Sequence, residues 1–209
     1  MSRAWPVRGI DPDGTLADNA RRILAVRVAE LYSHAPAVPI EEAVDELHAM
    51  RISAKRLRYT LELFRTVFGK RGERQIDRVK ELQEGLGIIH DHDVRLLLIE
   101  TELRALATAQ VDEVGRALAA APPEDHAVIV ASALRPPGDD PRRGLLSLLG
   151  RQHAARRADY RSFVARWDEL NADGLRADLV GLSAAPASPN RSTGEEKPDG
   201  KADVDDRPR

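Results

Sequence analysis

The chain has 209 residues, no cysteine and a net charge of −2 at neutral pH. Its length suits one medium domain with a sizeable core. The lack of cysteine excludes disulfides, thiolate metal sites and cysteine nucleophiles. No apolar run approaches the roughly 18 to 20 residues of a membrane span, and the start, MSRAWPVRGIDPDG, lacks the apolar middle of a secretory signal. The expectation is a cytoplasmic protein without a membrane partner.

In chain order, residues 1–14 read as an extended lead-in bearing Pro and Gly. Thr15 or Asp18 is placed to cap a first helix, with Ile23, Val26 and Leu31 inward, which APAVP stops after about His34. A second helix is expected from near Ile40 to about Phe68, the longest element, with Leu47, Met50, Ala54, Leu57, Leu61, Phe64 and Phe68 as its core stripe. A third spans about Arg71 to Gly87. After GIIHDHDV a fourth, capped by Asp91 or Asp93, carries Val94, Leu97, Leu98 and Leu106 to about Gln110. Ala-rich helical turns broken by Pro122 and Pro123 and a loop at 135–141 lead to a last long helix from about Arg143 to Leu170. Its inward residues are Tyr160, Phe163, Trp167 and Leu170. No window alternates with period two, so the fold class is all-α, a bundle of long antiparallel helices over residues 15–172. Residues 182–209, rich in Pro, Ser, Asp and Gly, read as a disordered tail.

Charge along this framework is segregated. Residues 47–80 carry ten Lys/Arg against three Asp/Glu, and 142–166 carry seven Arg against Asp159; residues 81–140 carry twelve acids against four Arg, and 11–46 eight against three. A local basic surface on an otherwise acidic chain suits a compact anionic ligand better than a long nucleic-acid track. The basic block holds a column: His48, Arg51, Lys55 and Arg58, at steps of three, four and three, share one face of a helix over about 15 Å. Arg offers a planar fork of donors to phosphate oxygens, Lys a point charge, and His a donor whose charge responds to pH. Arg56 and Tyr59 flank the column, and Glu62 extends it. Lys80 is placed to join from the third helix, and Arg157 and Arg161 to form a further wall beside the small residues Ser147, Gly150 and Ala154. A charge-rich helix face is usually only solvated. Here the column lies beside the core stripe, and Ile52, Tyr59 and Leu63 occupy the remaining face, so the basic side is expected to border a groove.

LHAMRISAKRLRYTLELF (47–64) followed by RVKELQEGLGIIHDHDV (78–94) resembles the signature of the CHAD family, the conserved histidine α-helical domain. The shared pattern is a His with spaced Arg and Lys on one helix, LRY-x-x-E-x-F, then LQ-x-x-LG-x-x-x-D on the next; RRADYRSFVARWDEL resembles the last helix of such domains. The likeness covers roughly residues 5–172. It implies a helical bundle that binds inorganic polyphosphate in a basic groove, with no catalysis or cofactor of its own. It also implies phosphate-binding roles for His48, Arg51, Lys55 and Arg58, with Arg56 and Lys80 contributing. Family members commonly carry two His-bearing helices related by internal symmetry, whereas this chain has one good copy. The first helix offers Arg21, Arg22 and Arg27 without a His motif, and His153 lacks the spaced cations. Arg22 is counted with the ligand set on that basis. Either a half site suffices or two chains pair as a homodimer.

Other readings stay open at this stage. HDHD at 90–93, with His48 and Asp139, has ligands for a metal-dependent phosphohydrolase using His48, His90 and Asp91, although Asp91 and Asp93 sit where caps are expected. A helical adaptor could set its basic face against an acidic protein, and the acidic tail could cover that face. Nucleic acid is disfavoured, because aromatic residues are 4% of the chain and none reads as a stacking platform. No nucleophile–base pair, Gly-rich phosphate loop or dinucleotide fingerprint is apparent.

Overall fold

The computed structural model describes residues 3–134 and 140–184. Among them are six α-helices and two 3-10 turns, and no strand. The helices are α1 (Leu16–Tyr32), α2 (Val44–Leu63), α3 (Arg65–Ala120), α4 (His126–Ala133), α5 (Pro141–Ala172) and α6 (Leu175–Ala184). The all-α expectation holds.

Thr15 caps α1, its side chain accepting from the Asp18 backbone N–H. The inward face of α1 is Ala20, Leu24, Val28 and Leu31; Ile23 and Val26 are only half-buried. On α2 the expected stripe of Leu47, Met50, Ala54, Leu57 and Leu61 is fully in the core, with Phe68 buried and Phe64 packed against it.

The boundaries around the hairpin differ from the sequence expectation at two points. The second helix ends at Leu63 rather than Phe68, because Phe64 leaves helical geometry and turns the chain back. The break expected at Gly69 does occur, inside the next helix, where φ of 54° and ψ of −152° lie in a region that only glycine occupies comfortably. Beyond Gly69 α3 continues without the expected interruption at GIIHDHDV, which makes it, not α2, the longest element. Asp91 and Asp93 are therefore mid-helix residues and cap nothing. The local cost of Gly85, about 1 kcal/mol relative to Ala, is offset by the close approach of Phe163 that it admits. A β-carbon on Gly85 would lie 3.2 Å from Phe163 of α5, and one on Gly87 3.8 Å from Arg51 of α2. Past His90 the inward residues of α3 are His92, Leu96 and Ile99, while Leu97 and Leu98 are exposed.

α5 lays Tyr160, Phe163, Trp167 and Leu170 into the core as expected, and Tyr160 donates to the Val38 carbonyl at 2.7 Å. The chain then turns at Gly174 (φ 80°), a left-handed position after the helix end. It adds α6, a helix the sequence reading did not assign, which buries Leu175, Leu179 and Leu182. The packed unit thus runs beyond residue 172 to Ala184, taking 182–184 out of the expected tail; residues 185–209 and the 135–139 part of the expected loop lie outside the described residues. Among the described residues no helix is long and apolar enough to cross a membrane.

Candidate anion-binding seam

α2 and α3 form an antiparallel hairpin whose register is fixed by two contacts. The His48 and His90 rings stack with centroids 4.6 Å apart and planes at 27°, and the Arg51 Nε lies over Gly87. The same register sets Lys55 opposite Gln83 and Arg58 opposite Lys80. The column therefore has a facing wall, supplied by one stripe of α3.

The cations along the seam are held loosely. The Lys55 ammonium lies 5.7 Å, and the Arg58 guanidinium 5.0 Å, from the centre of the Tyr59 ring. Arg58 also approaches Glu62 at 3.6 Å, and Lys80 approaches Glu84 at 3.8 Å, neither at hydrogen-bonding distance. Among the described residues Arg51 and Lys55 enter no ion pair with a carboxylate. Three buried polar atoms on these two stripes lack a hydrogen-bond partner: the Arg58 Nε, the Gln83 Oε1 and the His90 Nδ1. Native proteins seldom leave such atoms unsatisfied, and here they share one edge of the molecule. Desolvation, then the neighbouring His90 and Arg51, hold the His48 pKa below the usual imidazole value.

The other expected ligands do not join the seam. Arg56 turns toward α1 and donates to the buried Glu30 at 2.7 Å, alongside Arg27 and the Trp5 N–H. Arg22 donates to the Gly9 carbonyl and anchors the lead-in. Arg157 lies 3.6 Å from Glu41, and Arg161 is exposed on α5. The reason is geometric: Gly85, against Phe163, and Gly87, against Arg51, are two residues or about 200° apart on α3. α5 and the column thus occupy opposite sides of α3, and the expected third wall beside Ser147, Gly150 and Ala154 does not form. The seam is an open stripe between two helices. Clefts of about 400 and 520 Å³ lie elsewhere, flanking Gln110 and Glu113 on the far part of α3.

The same helical geometry divides the HDHD segment. His90 faces the seam, while His92 faces α5, with its Nε2 2.7 Å from Asp159 and its Nδ1 against Gln152. Asp93 accepts from Arg156. Stacked as they are, His48 and His90 present ring faces to each other and do not converge nitrogens on one point. Among the described residues no group of three His or carboxylates could hold a metal ion; Asp139 lies outside them. A nucleophile–base pairing that the sequence reading missed does occur. The Ser53 hydroxyl lies 3.3 Å from His34 Nε2, and His34 Nδ1 lies 3.0 Å from Glu46. Ser53 is wholly buried and already donates to the Ala49 carbonyl, so the trio joins the α1–α2 connection to α2 and offers no accessible nucleophile. His90 and Gln83 are the seam residues that sequence reasoning left out of the ligand set. The register of the hairpin was the signal that would have found them.

Comparison with curated proteins and with solved structures gave no match. Residues 3–100, which contain α1, α2 and the part of α3 that forms the seam, match the family model of the CHAD domain; the arginine-rich part of α5 lies outside that match. The CHAD-domain likeness therefore rests on this N-terminal segment, with its His-bearing helix and the part of α3 that packs beside it.

Proposed function

We propose that the protein binds inorganic polyphosphate along the α2–α3 seam, without catalysing its turnover. The reading is supported by the CHAD-domain match over residues 3–100 together with one observation: His48, Arg51, Lys55 and Arg58 share a face of α2, His48 stacks on His90 and Arg51 lies over Gly87, and among the described residues two of these cations have no carboxylate partner while the buried Arg58 Nε, Gln83 Oε1 and His90 Nδ1 have no hydrogen bond. A linear chain of phosphoryl groups suits such a row. It supplies acceptors at intervals, it needs no closed pocket, and Arg and Lys can each bind its oxygens directly.

Titration calorimetry with orthophosphate, triphosphate and long-chain polyphosphate tests this. Affinity should climb with chain length. Replacing Arg51 and Lys55 together by Ala should cost about 2–4 kcal/mol and lower the salt slope by about two charges, with no change in fold by circular dichroism. Undiminished binding by the double variant removes the seam as the site. Single-stranded DNA at equal phosphate concentration should compete poorly, and preference for DNA would redirect the assignment to nucleic acid.

A further inference from the structure

The His48–His90 stack lies at one end of the seam, where α2 begins. On α2 the charged groups near it are Asp45, one turn before His48, then Arg51, one turn after, and Lys55 beyond. On α3 they are Asp91, whose Oδ1 lies 3.7 Å from the His90 Nδ1, Asp93, one turn beyond and paired with Arg156, then Arg95, and in the other direction Glu84 and Lys80. Among the described residues, His90 and Arg51 oppose charge on His48 and Asp45 favours it. On α1, Glu30 pairs with Arg27 and with Arg56 on another face of α2, Arg21 with Asp18, and Arg22 with the Gly9 carbonyl. α5 directs Asp159 at His92, which faces away from the seam.

Two imidazoles in face contact beside an arginine cannot both charge cheaply, because each new cation meets the other and Arg51 at short range. In the free protein the His90 Nδ1 makes no hydrogen bond, the Asp91 carboxylate standing off at 3.7 Å. A phosphoryl group lodged against Arg51 reverses this balance, since its negative charge faces both rings and supplies the acceptor that the imidazolium form requires.

Resting on the polyphosphate reading above, we infer that the His48–His90 pair is a proton-coupled clamp, which takes up a proton as a phosphoryl group docks at that end of the seam. Asp91, beside the His90 Nδ1, makes His90 the ring that holds the added charge, with His48 donating from its neutral form. The bond changes are limited to N–H formation on one imidazole, the proton coming from solvent. Binding then tightens as pH falls through the imidazole range, up to on the order of tenfold per pH unit where uptake is complete.

The test is calorimetry of the full chain with long-chain polyphosphate at pH 6, 7 and 8.5, in pairs of buffers with different ionisation enthalpies. The difference within a pair reads the protons taken up. Uptake of a substantial fraction of one proton at pH 7, fading at pH 8.5, is expected, and His90→Gln should abolish it and lose more affinity at pH 6 than at pH 8.5. A companion measurement that needs no variant follows the imidazole C–H resonances of the wild-type chain, two of which should titrate at higher pH with polyphosphate present. Tight binding with no proton exchange, or with the imidazole titrations unmoved, overturns the clamp and leaves the binding function standing. Absence of polyphosphate binding at every pH overturns both.

Discussion

Arg51 of α2 crosses the backbone of α3 at Gly87, with its Nε 3.8 Å from the place a β-carbon would take. That distance is an ordinary contact, so Gly87→Ala should fold well and gain up to about 1 kcal/mol of helix propensity. Gly87→Leu fills the path of the Arg51 side chain and should weaken polyphosphate binding several-fold while the melting temperature holds. Gly85→Ala is the contrasting case, because its β-carbon meets Phe163 at 3.2 Å in the core. It should melt below Gly87→Ala and leave affinity unchanged, as thermal scans and calorimetry on the three variants would show.

Arg56 and Arg51 separate stability from binding. Glu30 is 1% exposed and accepts from Arg56, Arg27 and the Trp5 N–H. Glu30→Ala removes the buried acceptor that Arg27 and Arg56 share and should cost about 3–5 kcal/mol. Arg56→Ala leaves Glu30 with Arg27, and about 2 kcal/mol is expected. Urea unfolding should register both losses, and polyphosphate affinity of the Arg56 variant should stay within about threefold of wild type.

These residues also show what the sequence could carry. The core stripes of α2 and α5 and the column of His48, Arg51, Lys55 and Arg58 were legible because helical periodicity places residues on one face without reference to anything outside the helix. Tertiary pairings were not. Arg56 is five residues from Arg51, and only the position of Glu30, 26 residues away, decides that it turns to α1. Arg157 reads as a groove wall until α5 is known to pack on the Gly85 side of α3. The unbroken run of α3 through Gly85 likewise depends on Phe163, a side chain from another helix that occupies the space the glycine leaves. α6 escaped notice because its ten residues hold one narrow stripe, Leu175, Leu179 and Leu182.

That last helix hangs on Arg78. This buried guanidinium donates to Asp178 of α6 at 3.0 Å, to the Leu170 carbonyl at 2.9 Å and to the Asp173 carbonyl at 3.1 Å, with Gln75 at its side. It closes the end of α5 and fixes the start of α6 with one group. Arg78→Ala should cost about 3 kcal/mol, and amide exchange in 175–184 should accelerate ahead of the rest of the molecule. Uniform exchange across all helices would refute this hinge role.

Tyr32 provides an alkaline marker of the same region. Burial pushes its hydroxyl up to about 12, against the opposing pull of Arg176 and Arg78, and it donates to Asn171 at 2.8 Å. The unfolded chain loses this proton near pH 10, before the folded chain does. Stability from Tyr32 is therefore complete below about pH 10 and is lost as pH rises toward 12. Tyr32→Phe should flatten that part of the stability profile, measured as the urea midpoint between pH 9 and 11.5.

His48 sets the acid side, with the opposite sign. Its folded pKa lies below the ordinary imidazole value because burial, His90 and Arg51 all disfavour the cation. As pH falls past about 6.5 the unfolded chain takes the proton first, so the contribution is whole above that pH and drains away toward the lower folded pKa. The free protein should thus lose stability between pH 7.5 and 5.5, and His48→Gln should lose less over the same interval. Long-chain polyphosphate should shrink the wild-type loss, since the docked anion favours the added proton on the stacked rings that the empty seam resists. Thermal unfolding at the two pH values, with and without polyphosphate, reads all of these terms together. An identical pH dependence in the wild type and the Gln variant would show that the stack contributes nothing to the acid response.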